Sequence, residues 1–118
     1  ANVEATFWAQ PIESIDTDLE AAPLVVCCEV LEHLDDPVSG IDVLADLARP
    51  YLLTSVPREP LWRGLNIARG KYLHDWGNTP GHVNHWNRPD FLALLRRRFE
   101  IVETRTPLPW TMALCRRR

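Results

Sequence analysis

Glu29, Glu32 and His33 stand three and four residues apart in the segment Glu29-Val-Leu-Glu-His33. If Glu29 opens a helical turn, that spacing sets all three side chains on one face. Two carboxylates beside an imidazole suit a divalent cation such as Mg²⁺ or Mn²⁺. Without a metal, the imidazole can act as a general base. A structural reading stands beside these: Glu32 favours a helix start, and His33 hydrogen-bonds inside the turn. Further imidazoles, His82 and His85, follow in a loop over residues 73–86 that is rich in Gly, Asn, His and Trp. Gly77, Pro80 and Gly81 let such a loop turn tightly or move as a lid.

The elements around these residues can be read from pattern. Val3–Ala9 alternates and is rich in β formers, which predicts a strand. Leu24–Cys28 is a short apolar run, as expected of a strand covered on both faces. Asp36 followed by Pro37 signals a helix start, and Ile41, Leu44 and Leu47 then recur at helical spacing. Tyr51–Val56 predicts a second buried strand, stopped by Pro57. Residues 60–72 predict a helix, and so do residues 87–98, with Asp90 and the Arg96–Arg98 run suited to the two ends of its dipole. Phe99–Thr104 and Trp110–Cys115 close the chain as a pair of strands. Alternating strands and helices imply an α/β sheet with helices on its faces, where ligands sit at the carboxyl ends of the strands. Gln10, Glu29, Arg58 and Glu59 fall at those ends.

The chain has 118 residues, enough for one small domain, and 46% hydrophobic against 25% charged residues allows a core. A net charge of −3 argues against a general nucleic-acid surface. Cys27, Cys28 and Cys115 form neither a disulfide framework nor a CxxC zinc pattern, so a reducing cytoplasm is the expected setting. No apolar run reaches membrane-spanning length, and no signal peptide is visible. The first residue is Ala1 and the sole methionine is Met112, so the sequence reads as a fragment or trimmed chain.

Residues 24–37, Leu-Val-Val-Cys-Cys-Glu-Val-Leu-Glu-His-Leu-Asp-Asp-Pro, resemble the fourth strand and following turn of the Rossmann-like (class I) S-adenosylmethionine-dependent methyltransferases. Ser55-Val-Pro-Arg-Glu-Pro60 resembles the end of that family's fifth strand, and the last two strands resemble its C-terminal hairpin. The resemblance implies an α/β fold, with residues 1–118 as the C-terminal part of the methyltransferase domain. It also implies that the family's first two strands and Gly-rich turn are absent, since none of the five glycines forms GxG. The missing strands belong between Val3–Ala9 and Leu24–Cys28. The sheet is therefore expected to be completed by residues preceding Ala1, by a second chain in an oligomer, or by a displaced first strand.

On the same resemblance, Gln10 and the backbone near Ile12 contact the adenine of S-adenosylmethionine. Gln10 replaces the family's usual acidic residue, but its side-chain carbonyl can still accept the amino hydrogen bond. Pro23 replaces an aspartate that often opens the fourth strand. Cys28 and Glu29 border the cofactor's sulfur end. The pattern E-x-x-E-H resembles a metal motif of small-RNA 2′-O-methyltransferases and of ubiquinone-pathway O-methyltransferases. In the former a later histidine completes the set, and the segment from His82 to Phe91 matches better through His82 than through His85. The implied metal set is Glu29, Glu32, His33 and His82, with His33 and His82 activating the acceptor directly or through the ion. The implied reaction is methyl transfer to an oxygen of a small molecule. A truncated, non-catalytic binding or assembly domain is the alternative. An RNA-directed enzyme is a further one, which the acidic balance disfavours.

Overall fold

The structure, a computed structural model, describes residues 2–118. Four strands form one sheet in the order β1-β2-β4-β3. They are β1 (Ala22–Cys28), β2 (Ala48–Pro57), β3 (Phe99–Arg105) and β4 (Trp110–Arg117). β1 and β2 run parallel, with Cys27 opposite Thr54 and Cys28 opposite Ser55. β4 lies antiparallel between β2 and β3. The described residues also form three α-helices, α1 (Pro37–Leu47), α2 (Leu61–Ala68) and α3 (Arg88–Leu95), and three short 3₁₀ turns.

Local sequence explains where the helices begin. Asp36 caps α1, accepting from the Ser39 N–H at 3.0 Å, and Pro37 takes the first turn, where its missing N–H costs nothing. Asn87 caps α3 in the same way, accepting from the Asp90 N–H at 2.9 Å. Ile41, Leu44 and Leu47 face inward as their spacing predicts. Ile41 and Leu44 pack with Phe91 and Leu95 of α3 on one face of the sheet against Leu52, Val56, Ala113 and Cys115. Burial removes each from water at roughly 1.5–3 kcal/mol per large side chain. Arg98, at the end of α3, pairs with Asp42 and Asp46 and ties that end to α1.

Two expectations are corrected. Residues 2–11 form no strand, and Val3 and Phe7 stand in solvent, Phe7 being 90% exposed. A strand needs a neighbour for its N–H and C=O groups, and among the described residues β1 pairs only with β2. β1 is also covered on one face alone. Cys27 is buried, whereas Leu24 and Val26 are exposed, Val26 by 61%, and so is Cys28. The face that bears Val26 continues through Leu53 and Leu114 on β2 and β4, which are only half-buried. Helix ends differ by a few residues: α2 stops at Ala68, before Gly70 takes positive φ, and α3 stops at Leu95.

Candidate functional site

The candidate residues gather at the carboxyl end of β1. Glu29, the next residue, adopts φ +59° and so breaks the strand rather than opening a helix. Its N–H donates to the Ser55 carbonyl at 3.1 Å, and its Oε1 accepts from Ser55 Oγ at 3.0 Å. The expected helical face shared by Glu29, Glu32 and His33 is therefore not formed. A short 3₁₀ turn, Leu31–His33, presents Glu32 and His33 instead. Ser55 was not singled out from sequence, although its place at the end of a strand marked it as available.

Glu32 is 1% exposed, and neither carboxylate oxygen has a hydrogen-bond partner among the described residues. Its pKa is pushed up to about 7. Burial is the largest cause; its own backbone N–H opposes the rise, and the Glu29 charge adds to it. His33 Nδ1 lies 2.7 Å from the Gly81 carbonyl oxygen and donates to it, which leaves Nε2 free, 3.9 Å from Glu32 Oε1. The His82 ring meets the His33 ring edge-on at 4.7 Å. Its pKa is lowered by burial first, then by His33 and His85. Trp62 stacks on His82 at 6.2 Å and is itself held by donation from its indole N–H to Thr79 Oγ1 at 2.8 Å.

Ligand atoms of Glu32, His33 and His82 lie within 4.8 Å of one another. The donor set fits a divalent ion: an orphaned buried carboxylate, a ring nitrogen freed by a backbone bond on its far side, and a second imidazole. Glu29, expected as a fourth ligand, stands outside that trio and is held by Ser55. His85 also stands apart, 3.5 Å from Glu59 Oε1 through its Nδ1.

The loop bearing His82 is sewn to the turn bearing Glu32. Val83 and Asn84 N–H groups both donate to the Glu32 carbonyl, at 2.9 and 3.0 Å. Asn84 Nδ2 donates to the Leu31 carbonyl at 3.2 Å and to the Leu34 carbonyl. Gly81, whose carbonyl holds His33, takes φ +86°, and a Cβ there would sit 3.4 Å from His33 Nδ1. Neither Asn84 nor Gly81 carried a catalytic signature in the sequence, since each acts through a partner 48 or more residues away, Asn84 on backbone carbonyls and Gly81 on the His33 ring.

No protein-family model matches the chain. Over 106 residues it is 28% identical to the ubiquinone biosynthesis O-methyltransferase of Alkalilimnicola ehrlichii, a match that covers 78% of this chain and 43% of that protein. Among solved structures, it superposes on the magnesium protoporphyrin IX methyltransferase of Synechocystis PCC 6803 with bound S-adenosylhomocysteine. That match has a TM-score of 0.68 and 23% identity, over 96% of this chain and 51% of the other. It also superposes on an O-methyltransferase family protein from Burkholderia thailandensis with a TM-score of 0.68, at 19% identity over 95% of this chain and 35% of the other. The fold is that of the Rossmann-like methyltransferases, in their C-terminal part.

The chain spans about half the length or less of these methyltransferase relatives. Within the methyltransferase fold, β1 and β2 place Cys28 and Glu29 side by side with Ser55 at the carboxyl end of the parallel pair. Gln10 and Ile12 line an open cavity of about 280 Å³ beside β1, together with Val25, Cys27, Val30 and Leu44. Ile12 is half-buried against the core, whereas Gln10 is exposed. No helix among the described residues is long and apolar enough to cross a membrane.

Proposed function

We propose that the protein containing this chain transfers the methyl group of S-adenosylmethionine to an oxygen of a small-molecule acceptor. The observation that carries this reading is the convergence of Glu32, His33 and His82 at the carboxyl end of β1, in a methyltransferase fold. Oxygen is favoured over nitrogen because the curated relative is an O-methyltransferase.

S-Adenosylmethionine supplies an activated methyl group on a sulfonium, so the protein's task is alignment and removal of the acceptor proton. The cavity beside β1 takes the adenine, with the Gln10 side-chain carbonyl accepting from its amino group and the Ile12 backbone alongside. Cys28 and Glu29 border the sulfur end. His33 Nε2, the nitrogen left as acceptor in the neutral ring whose Nδ1–H donates to Gly81, takes the acceptor proton, with His82 as its neighbour. The lowered pKa of His82 keeps it neutral and able to accept or to ligate. Mg²⁺ or Mn²⁺ bound through Glu32, His33 and His82 would lower the acceptor hydroxyl's pKa. Ionised Glu32, His33 Nε2 and His82 would hold it, and with the ion bound His33 would act through it rather than as the base.

The five glycines form no GxG turn, so the chain supplies one wall of the cofactor site. The free edge of β1 and the face bearing Val26, Leu53 and Leu114 are where the remaining strands and helices pack, from the same protein or a second chain. That bare surface also favours the second reading, a binding or assembly module without catalysis.

The test is methyl transfer by the intact protein from isotopically labelled S-adenosylmethionine to a panel of phenols and catechols. His33→Ala and His82→Ala are expected to reduce the rate by roughly 10²-fold or more. Unchanged rates in both variants would remove the proposed roles. Cofactor binding without transfer to any acceptor would favour the second reading.

A further inference from the structure

The loop that carries His82 is tied down at both ends. At one end the Gly81 carbonyl holds His33, and the Val83 and Asn84 N–H groups hold the Glu32 carbonyl. At the other end Trp86 is held by the residues that follow β2. The Glu59 N–H donates to the Trp86 carbonyl at 3.0 Å, and Arg58 forms a parallel bridge with Trp86. His85, between these anchors, places its Nδ1 3.5 Å from Glu59 Oε1.

Glu59 therefore meets three elements. It follows β2, its N–H holds the loop, and its Oε2 accepts from the Arg63 N–H in the first turn of α2 at 3.3 Å. Its side chain is buried, and no arginine or lysine pairs with it among the described residues. Its Oε1 has no hydrogen-bond donor there either. A buried carboxylate is costly without a compensating charge. His85, at ion-pair distance, supplies that charge when protonated.

Two routes lead from Glu59 to the His82 ring. One runs along the loop, since His85 is three residues from His82. The other runs through α2. Trp62, three residues after Glu59, donates its backbone N–H to the Arg58 carbonyl at 2.8 Å and stacks its indole on His82. The His82 ring thus meets His33 at 4.7 Å and Trp62 at 6.2 Å, on elements that are both anchored at Glu59.

We propose that Glu59 is a positioning residue for His82: its carboxylate, acting through His85, locks the loop so that the His82 ring stays against His33. Its part in catalysis rests on the methyl-transfer reading; its hold on the ring does not.

Glu59→Gln separates the loop from the helix. The amide oxygen can still accept from the Arg63 N–H and cap α2, while the charge that faces His85 is gone. His85→Gln makes the same break from the other partner, at a side chain that is 29% exposed. The first readout is NMR of the intact protein: the nuclear Overhauser contact between the His33 and His82 rings, with the Trp62 indole N–H signal as the marker of α2. Each variant is expected to lose most of the contact and keep the marker. The double variant is expected to lose no more than either alone. The second readout is transfer from labelled S-adenosylmethionine to the best acceptor of the phenol and catechol panel. There kcat is expected to fall roughly 10- to 100-fold, with KM for S-adenosylmethionine unchanged. A wild-type protein without transfer sinks the methyl-transfer reading, and the ring contact then decides the role of Glu59 by itself. Retention of the contact in both single variants, or additive losses in the double variant, would overturn the proposal. So would loss of contact and Trp62 marker together in Glu59→Gln with His85→Gln silent, which would make Glu59 a helix cap alone.

Discussion

His33 Nδ1 lies 2.7 Å from the carbonyl oxygen of Gly81, and this bond decides which ring nitrogen faces Glu32. Gly81 can deliver its carbonyl there because it adopts φ +86°, a region that L side chains enter at roughly 1–2 kcal/mol. Gly81→Ala adds that strain and a Cβ about 3.4 Å from the ring. The expected outcome is a loss of stability near that range together with an altered His33 tautomer in imidazole ¹⁵N NMR spectra. A stability loss with an unchanged tautomer would show that Gly81 serves the loop and not the histidine.

Glu32 gives the protein a pH signature. Its folded-state pKa of about 7 lies above the ordinary value of 4.5, so the folded state binds the proton more tightly. The stability from this group is fully present below about pH 4.5 and is lost as pH rises through 7. Glu32→Gln removes that slope. In chelator-treated protein at pH 8 the variant should be more stable than the wild type by on the order of 1–3 kcal/mol, discounted for the buried amide. Parallel denaturation curves at pH 5 and pH 8 check this. An equal effect of the substitution at both values would contradict it.

Metal binding should follow the same group with the opposite sign. Glu32 must lose its proton to ligate, so Mn²⁺ affinity is expected to climb between about pH 6 and pH 8, with proton release on binding. Glu32→Gln and His82→Ala should each weaken Mn²⁺ by roughly tenfold or more, read by electron paramagnetic resonance titration. Glu29→Gln should weaken it less, because Glu29 lies outside the trio and hydrogen-bonds Ser55. Equal losses from all three would return Glu29 to the ligand set.

Asn84 is the clasp between the turn and the loop. Asn84→Ala removes donors to the Leu31 and Leu34 carbonyls, and Leu31 is fully buried. A cost of about 1–3 kcal/mol is expected, with the His82 and His33 NMR signals losing their mutual ring contact. Retention of that contact at full stability would show that the backbone bonds of Val83 and Asn84 suffice.

Much of this is legible in the sequence. The Asp36-Pro37 start and the Ile41, Leu44, Leu47 stripe placed α1, because caps and helical spacing are local signals. Glu32, His33 and His82 were readable as a set through the likeness of two separated segments to methyltransferase motifs. Local pattern failed where tertiary context decides. Val3–Ala9 has strand composition, but no neighbour takes its backbone hydrogen bonds. Glu29 has helical spacing to His33, but Ser55, 26 residues on, holds it in a left-handed turn instead. Gly81 was legible as a turn residue but not as the partner of His33, and Ser55 and Asn84 escaped notice because each acts through hydrogen bonds that no spacing encodes.

The most direct test of the central claim is calorimetric titration of S-adenosylhomocysteine into the intact protein, after its mass has been established. Saturable binding with a Kd in about the micromolar-to-millimolar range typical of enzyme ligands, weakened by Gln10→Leu, is the predicted result. No heat at about 1 mM ligand in a protein that contains the whole domain would contradict methyl transfer and leave the chain a binding or assembly module.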